Sequence, residues 1–312
     1  MYGVLVAITA IWGVQFALGK LMVASVPPFT VAFARSLIAT VLYTALALSR
    51  PGGLRVRRAD LGPFLLLGLV GNPVYHGSFF LGLRFAPASD GVLLLPTMNP
   101  VFTVLVAWLL GRESPTRQQL AGMGISALGV ALVFQAVAGS DPVTEGQMRL
   151  LGDCLFLVGS LSWGVYSAVG RHLFSTYGAA RATTVSALVG LGPMAILSWL
   201  AGDPSSVFRL GGRDMAILVY MSVFAAFLGF MLFNRAVASI GAGPASRFTN
   251  LVPVWGLVVA ALVLGERPTI LELAGGLLIV VGVWVSTAAK LGWPFQRRAA
   301  YPTPAHPGQL DS

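Results

Sequence analysis

The sequence predicts an all-α polytopic membrane protein of ten transmembrane helices, arranged as two inverted five-helix repeats. Three observations carry this expectation. Of 312 residues, 56% are hydrophobic and 10% charged, against roughly 25% charged in a soluble globular protein. The mean hydropathy is +0.81, and ten apolar runs approach the ~20 residues that cross a ~30 Å hydrocarbon core. The second half of the chain also repeats motifs of the first at a nearly constant offset.

Apolar runs bounded by Gly, Pro and Arg place the helices at about 2–24, 29–48, 61–83, 91–111, 119–137, 151–171, 183–201, 215–235, 245–264 and 271–290. The first run begins at once with Met1-Tyr2-Gly3-Val4-Leu5 and has neither a basic n-region nor a cleavage site, so it is expected to be retained. The polar stretch Arg50 to Asp60 separates the second run from the third. Pro96 and Pro100 lie in the fourth, and Arg112 to Gln118 leads into the fifth. Ala138 to Arg149 and Gly202 to Asp214 read as loops before the sixth and eighth runs. The ninth carries Pro253. After the tenth, Pro294, Pro302, Pro304 and Pro307 mark a stretch that cannot bury a core. The expected units are thus 1–138, 150–290 and a disordered cytoplasmic tail at 294–312.

Charge gives orientation. With both ends on one side, 13 of the 20 lysines and arginines fall in loops or tails of that side. Arg84, Arg149, Arg209, Arg213 and Arg267 fall opposite, and Lys20 and Arg35 lie inside helices. Cytoplasmic loops carry the basic excess, so both termini are expected to be cytoplasmic in the cell inner membrane. The +9 formal charge is scattered singly between apolar blocks, which argues against nucleic-acid binding. A single cysteine, Cys154, and three histidines leave no basis for a disulfide or a zinc cluster. No metal or cofactor is expected.

The repeat is readable residue by residue. Residues 113–132 align without gaps to 266–285, with eight identities: Glu113/Glu266, Pro115/Pro268, Thr116/Thr269, Leu120/Leu273, Ala121/Ala274, Gly122/Gly275, Gly129/Gly282 and Val130/Val283. Trp12-Gly13-Val14 with Ala17, Gly19 and Lys20 recurs as Trp163-Gly164-Val165 with Ala168, Gly170 and Arg171. Five helices per copy is an odd number, so the second copy must enter the membrane inverted, a common construction of secondary transporters.

These features together resemble the EamA branch of the drug/metabolite transporter superfamily over about residues 3 to 290. The resemblance rests on the two Trp-Gly motifs with their following basic residues and on Ala34-Arg35. It rests also on Leu83-Arg84-Phe85, on Pro100 and Pro253, and on the helix ends at Gly111-Arg112-Glu113 and Gly265-Glu266. It implies ten helices in two inverted repeats, transport of amino acids and related small metabolites, and a cavity between helices 1, 3, 4, 6, 8 and 9.

Candidate substrate-binding residues follow from polar and aromatic groups near the bilayer midplane. Trp12 and Gln15, like Trp163 and Tyr166, share a helical face; each pair serves either as cavity wall or as packing. Asn72, Tyr75, His76 and Phe79 form a stripe at helical spacing that must face inward whether it binds substrate or bonds other helices. Thr97, Asn99 and Asn250 flank the prolines, which are either simple kinks or bending points of alternating access. Phe227, Phe230 and Asn234 share a face of the eighth helix. The abundant glycines, Gly122, Gly129, Gly275 and Gly282 among them, are expected to allow close helix approach, and Glu113 and Glu266 to pair with nearby arginines.

Lys20 and Arg35 stand out, because a cation within a transmembrane helix costs about 2.5–3.5 kcal/mol. Either they snorkel to the interface, or they make the outer half of the cavity electropositive and favour a carboxylated substrate. None of the eleven carboxylates is expected in the middle of a helix, which disfavours carboxylate-driven proton antiport and leaves facilitated exchange or coupling through His76.

The expected function is secondary transport of amino acids or related carboxylated compounds by alternating access, in the export direction, by a monomer or homodimer embedded in the lipid bilayer. The alternatives are a carrier for cationic drugs, or a channel or receptor-like protein. An enzyme would need a reactive constellation that the sequence does not offer.

Overall fold

Proline, glycine and polar punctuation set where the helices start and stop. The computed structural model describes residues 1–49, 53–112, 114–138, 143–240 and 248–288. The expected tail 294–312 lies outside the described residues, as do Glu113 and the side chain of Asn234. Every regular element among the described residues is helical.

Helix α1 (Tyr2–Ser25) stops where Val26 turns extended, and Pro28 opens α2 (Pro28–Leu48) at a position where a missing N–H costs nothing. Helix α3 (Arg58–Phe85) runs through a π-helical stretch, Val70–Val74, that contains Pro73. Helix α4 (Ala88–Leu109) holds Pro96 and Pro100 without breaking. Helices α5 (Arg117–Ala138) and α6 (Val143–Tyr177) follow. Gly178, at φ +76°, supplies a left-handed residue that an L side chain rarely adopts and turns the chain into α7 (Ala179–Ala201). Helix α8 comprises Gly212–Val219, the π-helical Tyr220–Leu228 and Gly229–Ile240. Helix α9 (Thr249–Leu264) and α10 (Ile270–Ala288) complete the described chain. Among the described residues, eight helices are long and apolar enough to span a membrane, and Thr249–Leu264 and Ile270–Ser286 are shorter apolar helices. The outer surface is apolar too, with Leu262, Ile270 and Trp199 all largely exposed, as suits a multi-pass membrane protein.

The extent of the sixth helix and the placement of two carboxylates need correction. The sixth helix, expected at 151–171, spans Val143–Tyr177, because the polar residues before it include good helix formers and Arg149 finds partners inside the bundle. Asp90, expected in a loop, lies in the first turn of α4 and is fully buried. Asp153 stands ten residues into α6, also fully buried, so carboxylates do occur well within helices.

Helix packing follows the repeated motifs. α1 lies on α9, α6 on α4, α5 on α10, and α2 on α7. A Cβ at Gly13 would come within 2.7 Å of Gly256 N and Trp255 Cβ of α9, and one at Gly164 within 2.8 Å of the Phe102 backbone of α4. The glycine after each repeated tryptophan therefore marks a close helix crossing. Along the α5–α10 seam, a Cβ at Gly122 would strike the Gly282 carbonyl oxygen, and one at Gly129 would strike that of Gly275. Small residues here let backbones touch, the main route to tight packing where lipid supplies no hydrophobic drive.

The helix starts of α5 and α10 are built alike. Thr116 N donates to Gln119 Oε1 (2.9 Å) and Gln119 N to Thr116 Oγ1 (3.2 Å); Thr269 N donates to Glu272 Oε2 (2.6 Å) and Glu272 N to Thr269 Oγ1 (3.2 Å). Each is a reciprocal capping box, which explains the repeated Pro-Thr. Glu266, expected to pair with an arginine, instead accepts the N–H groups of Ala88 and Ser89, both at 2.8 Å, where the α4 macrodipole favours an anion.

Candidate substrate site

Six helices bring their polar and aromatic groups to the interior. α1 contributes Trp12 and Gln15, α2 Arg35, α3 Tyr75 and His76, α4 Asn99, α6 Trp163 and Tyr166, and α8 Phe230. The rings form a continuous wall. Trp12 and Phe230 centroids lie 5.3 Å apart, Phe230 and Trp163 5.8 Å, Trp163 and Tyr75 5.4 Å, and Tyr75 and His76 5.1 Å. Tyr166 stacks on Trp163 at 5.6 Å. Phe230 thus joins the two repeated tryptophans.

Arg35 closes the wall on the α2 side. Its residue is 4% exposed, so it does not snorkel. Nη1 lies 3.1 Å from Nδ1 and 3.2 Å from Nε2 of His76, and Nη2 donates to Gln15 Oε1 at 3.5 Å. Nε is buried without a hydrogen-bond partner. The ion pairs among the described residues involve other arginines. A buried cation is normally paired with an anion, and here the groups at hand are a ring and an amide.

Asn99 adds an acceptor. Its side chain lies by the Tyr75 hydroxyl, and its Oδ1 is buried without a partner. The cluster therefore holds one unspent donor at Arg35 Nε and one unspent acceptor at Asn99 Oδ1, together with aromatic π faces, which attract cations.

The π-helical stretches hold the wall. A widened turn leaves backbone carbonyls out of the regular ladder. Trp12 Nε1 donates to Ala225 O at 3.0 Å, and Ser162 Oγ donates to Val70 O. Trp12 is therefore anchored and faces inward at once.

Other expected site residues lie apart from this cluster. Asn72 is buried and accepts from Ser36 Oγ at 2.8 Å, tying α3 to α2. Phe79 packs edge-on against Phe16 at 5.1 Å, and Phe227 against Tyr43 at 5.2 Å. The Thr97 hydroxyl donates to Leu93 O in its own helix. Asn250 sits half-buried in the 3-10 turn Thr249–Leu251. Pro253, expected mid-helix, lies in the first α-helical turn that follows, where it breaks no ladder bond. Lys20 lies outside this cluster; its Nζ donates to Leu83 O and Ala86 O, both at 2.8 Å, closing the end of α3. Ser162 and Pro73 escaped the sequence reading, although a proline within an apolar run is a visible sign of a disturbed ladder.

A polytopic helical bundle with polar and aromatic groups turned inward is the build of a membrane transport protein. The chain matches the EamA-like transporter family over residues 1–135 and 150–288, and it belongs to that family. It is 24% identical over 291 residues to the Bacillus subtilis protein named uncharacterized transporter YyaM, covering 91% of this chain and 92% of that one. It is 25% identical to a Salmonella typhimurium protein named a probable amino-acid metabolite efflux pump, over 89% of this chain and 92% of the relative. A Streptantibioticus cattleyicolor protein named a probable terminal-alkyne amino-acid exporter is 30% identical over 81% of this chain and 82% of its own. A solved crystal structure of 20% identity superposes with a TM-score of 0.63 over 93% of this chain and 98% of its own, a likeness of fold. Family and relatives indicate a transporter rather than an enzyme.

Proposed function

We propose that the protein is a secondary transporter that moves amino acids or related carboxylated metabolites across the inner membrane by alternating access, with export as its direction. The observation that carries this reading is Arg35, a buried guanidinium whose neighbours are His76 and Gln15 and whose Nε is unspent. A substrate carboxylate supplies the missing anion through charge-assisted hydrogen bonds. The ammonium of an amino acid then lies toward Asn99 Oδ1 and the faces of Tyr75, Trp163 and Trp12. A lipophilic cation would meet Arg35 with like charge, which disfavours cationic drugs.

The reading treats residues 1–138 and 150–290 as inverted copies with both termini cytoplasmic. The reciprocal contacts support this: Gly122 meets Gly282 while its repeat mate Gly275 meets Gly129, and Gly13 meets α9 as Gly164 meets α4. Contacts that exchange partners in this way are what a twofold axis between two copies produces. Export is supported by the names of the amino-acid-exporting relatives.

The test is counterflow of radiolabelled amino acids into proteoliposomes. Saturable exchange that is competed by zwitterionic or anionic carboxylates, and lost in Arg35→Gln, supports the proposal. Exchange competed by lipophilic cations alone, or conductance without saturation, overturns it.

A further inference from the structure

A second cluster, of charged residues, lies where α4 and α10 begin and α6 passes them. Arg149 of α6 grips Asp90 of α4 with two bonds, Nε to Oδ2 at 2.7 Å and Nη2 to Oδ1 at 2.9 Å, and Nη2 also donates to Glu272 Oε1 of α10. One guanidinium therefore serves two buried carboxylates from two other helices. Asp153 makes a third. It stands one turn along α6 from Arg149, on the same face, and its carboxyl lies within hydrogen-bonding reach of Asp90. It is wholly inaccessible, and neither of its oxygens meets a hydrogen-bond donor.

Arg149 acts on Asp153 electrostatically but makes no hydrogen bond to it. Arg149 is engaged by Asp90 and Glu272. Lys20 of α1, which acts on Asp90 from a distance, has its Nζ on the carbonyl oxygens of Leu83 and Ala86. Glu266 is held by the α4 N–H groups, and Arg84 donates to Val23 O. The sulfur on the next residue, Cys154, is exposed on another face. No group of His, Cys, Asp and Glu among the described residues is arranged to hold a metal ion. Two buried carboxylates in contact cannot both ionise cheaply, and a carboxyl oxygen can donate only when it carries a proton.

We propose that Asp90 and Asp153 form a single-proton site across the α4–α6 contact. In the packed state Asp153 carries the proton and donates it to Asp90, whose other bonds go to Arg149. Loss of that proton to water leaves two anions facing each other and loosens α4 from α6; rebinding restores the contact. This site binds a proton, not the transported solute, and the inference does not depend on the substrate class.

Infrared spectroscopy of the full chain in lipid nanodiscs tests it without any substrate. The wild type should show the carbonyl absorption of a protonated carboxylic acid at neutral pH, moved by 13C-aspartate labelling and lost in Asp153→Asn, which keeps the shape. Alkaline titration should remove the same band from the wild type. A spectrum without a label-sensitive acid band at neutral pH, or one identical in wild type and Asp153→Asn, overturns the proposal. The labelled wild type decides the question even if the variant does not fold.

Discussion

Nη1 of Arg35 lies 3.1 Å from Nδ1 and 3.2 Å from Nε2 of His76, so the α2 cation leans on an α3 ring instead of a carboxylate. Arg35→Gln should lower the affinity for a carboxylated substrate by about 100-fold, the scale of a lost buried charge contact, while purified yield and helical content stay unchanged. Arg35→Met should also lose transport yet melt at or above the wild-type temperature, because it removes a buried charge lacking an anion. Binding calorimetry beside thermal melts in detergent reads both effects. Undiminished affinity in both variants would exclude Arg35 as the carboxylate anchor.

Lys20 offers the contrasting case. Its bonds to Leu83 O and Ala86 O assign it to the end of α3, so Lys20→Met should cost stability, about 1–3 kcal/mol for a charged group's hydrogen bonds. The substrate dissociation constant should stay within about twofold, a difference under 1 kcal/mol. A collapse of affinity with unchanged melting would place Lys20 in the substrate path.

At the α5–α10 seam, Gly282→Val puts a branched side chain against Ser126 and the Gly122 carbonyl oxygen. Overpacking of this kind costs about 1–3 kcal/mol or more. The variant should melt well below wild type, and Gly124→Ala, at a position open to space on the facing helix α5, should not. Equal melting of the two variants would mean that the seam tolerates separation.

Glu272 has two tasks, which two substitutions separate. Glu272→Gln keeps an acceptor for Thr269 N, as Gln119 does for Thr116 N in the matching cap, but surrenders the ion pair with Arg149. Glu272→Ala removes both. The alanine variant should be less stable than the glutamine variant by about 1 kcal/mol, the worth of a helix cap, in denaturant or thermal melts. Equal stability would show that the capping box contributes nothing here.

The chain order of helices was legible from apolar runs alone, and α1 and α2 begin and end within one residue of expectation. Residues such as Asp90 and Arg149 were not. Both are polar groups at the edges of apolar runs, and hydropathy assigns such residues to loops; only the cross-helix partners reveal that they are buried. Lys20 illustrates the same limit, since a carbonyl from a helix 63 residues away along the chain leaves no trace beside the lysine. Arg35, Tyr75, His76 and Trp163 were legible because a polar or aromatic group at mid-span must turn inward whatever its partner. The Thr-x-x-Gln and Thr-x-x-Glu boxes stand in plain view in the sequence, and the helix starts show what they do.

The π-helical stretch Val70–Val74 lies directly before Tyr75 and His76, and this sets the phase of everything after it. A π-helical turn holds about one residue more than an α-helical one, so α3 takes in one extra residue before Tyr75 and His76 while they still face Arg35 and Trp163. The widened turn thus works as an absorbed insertion in α3.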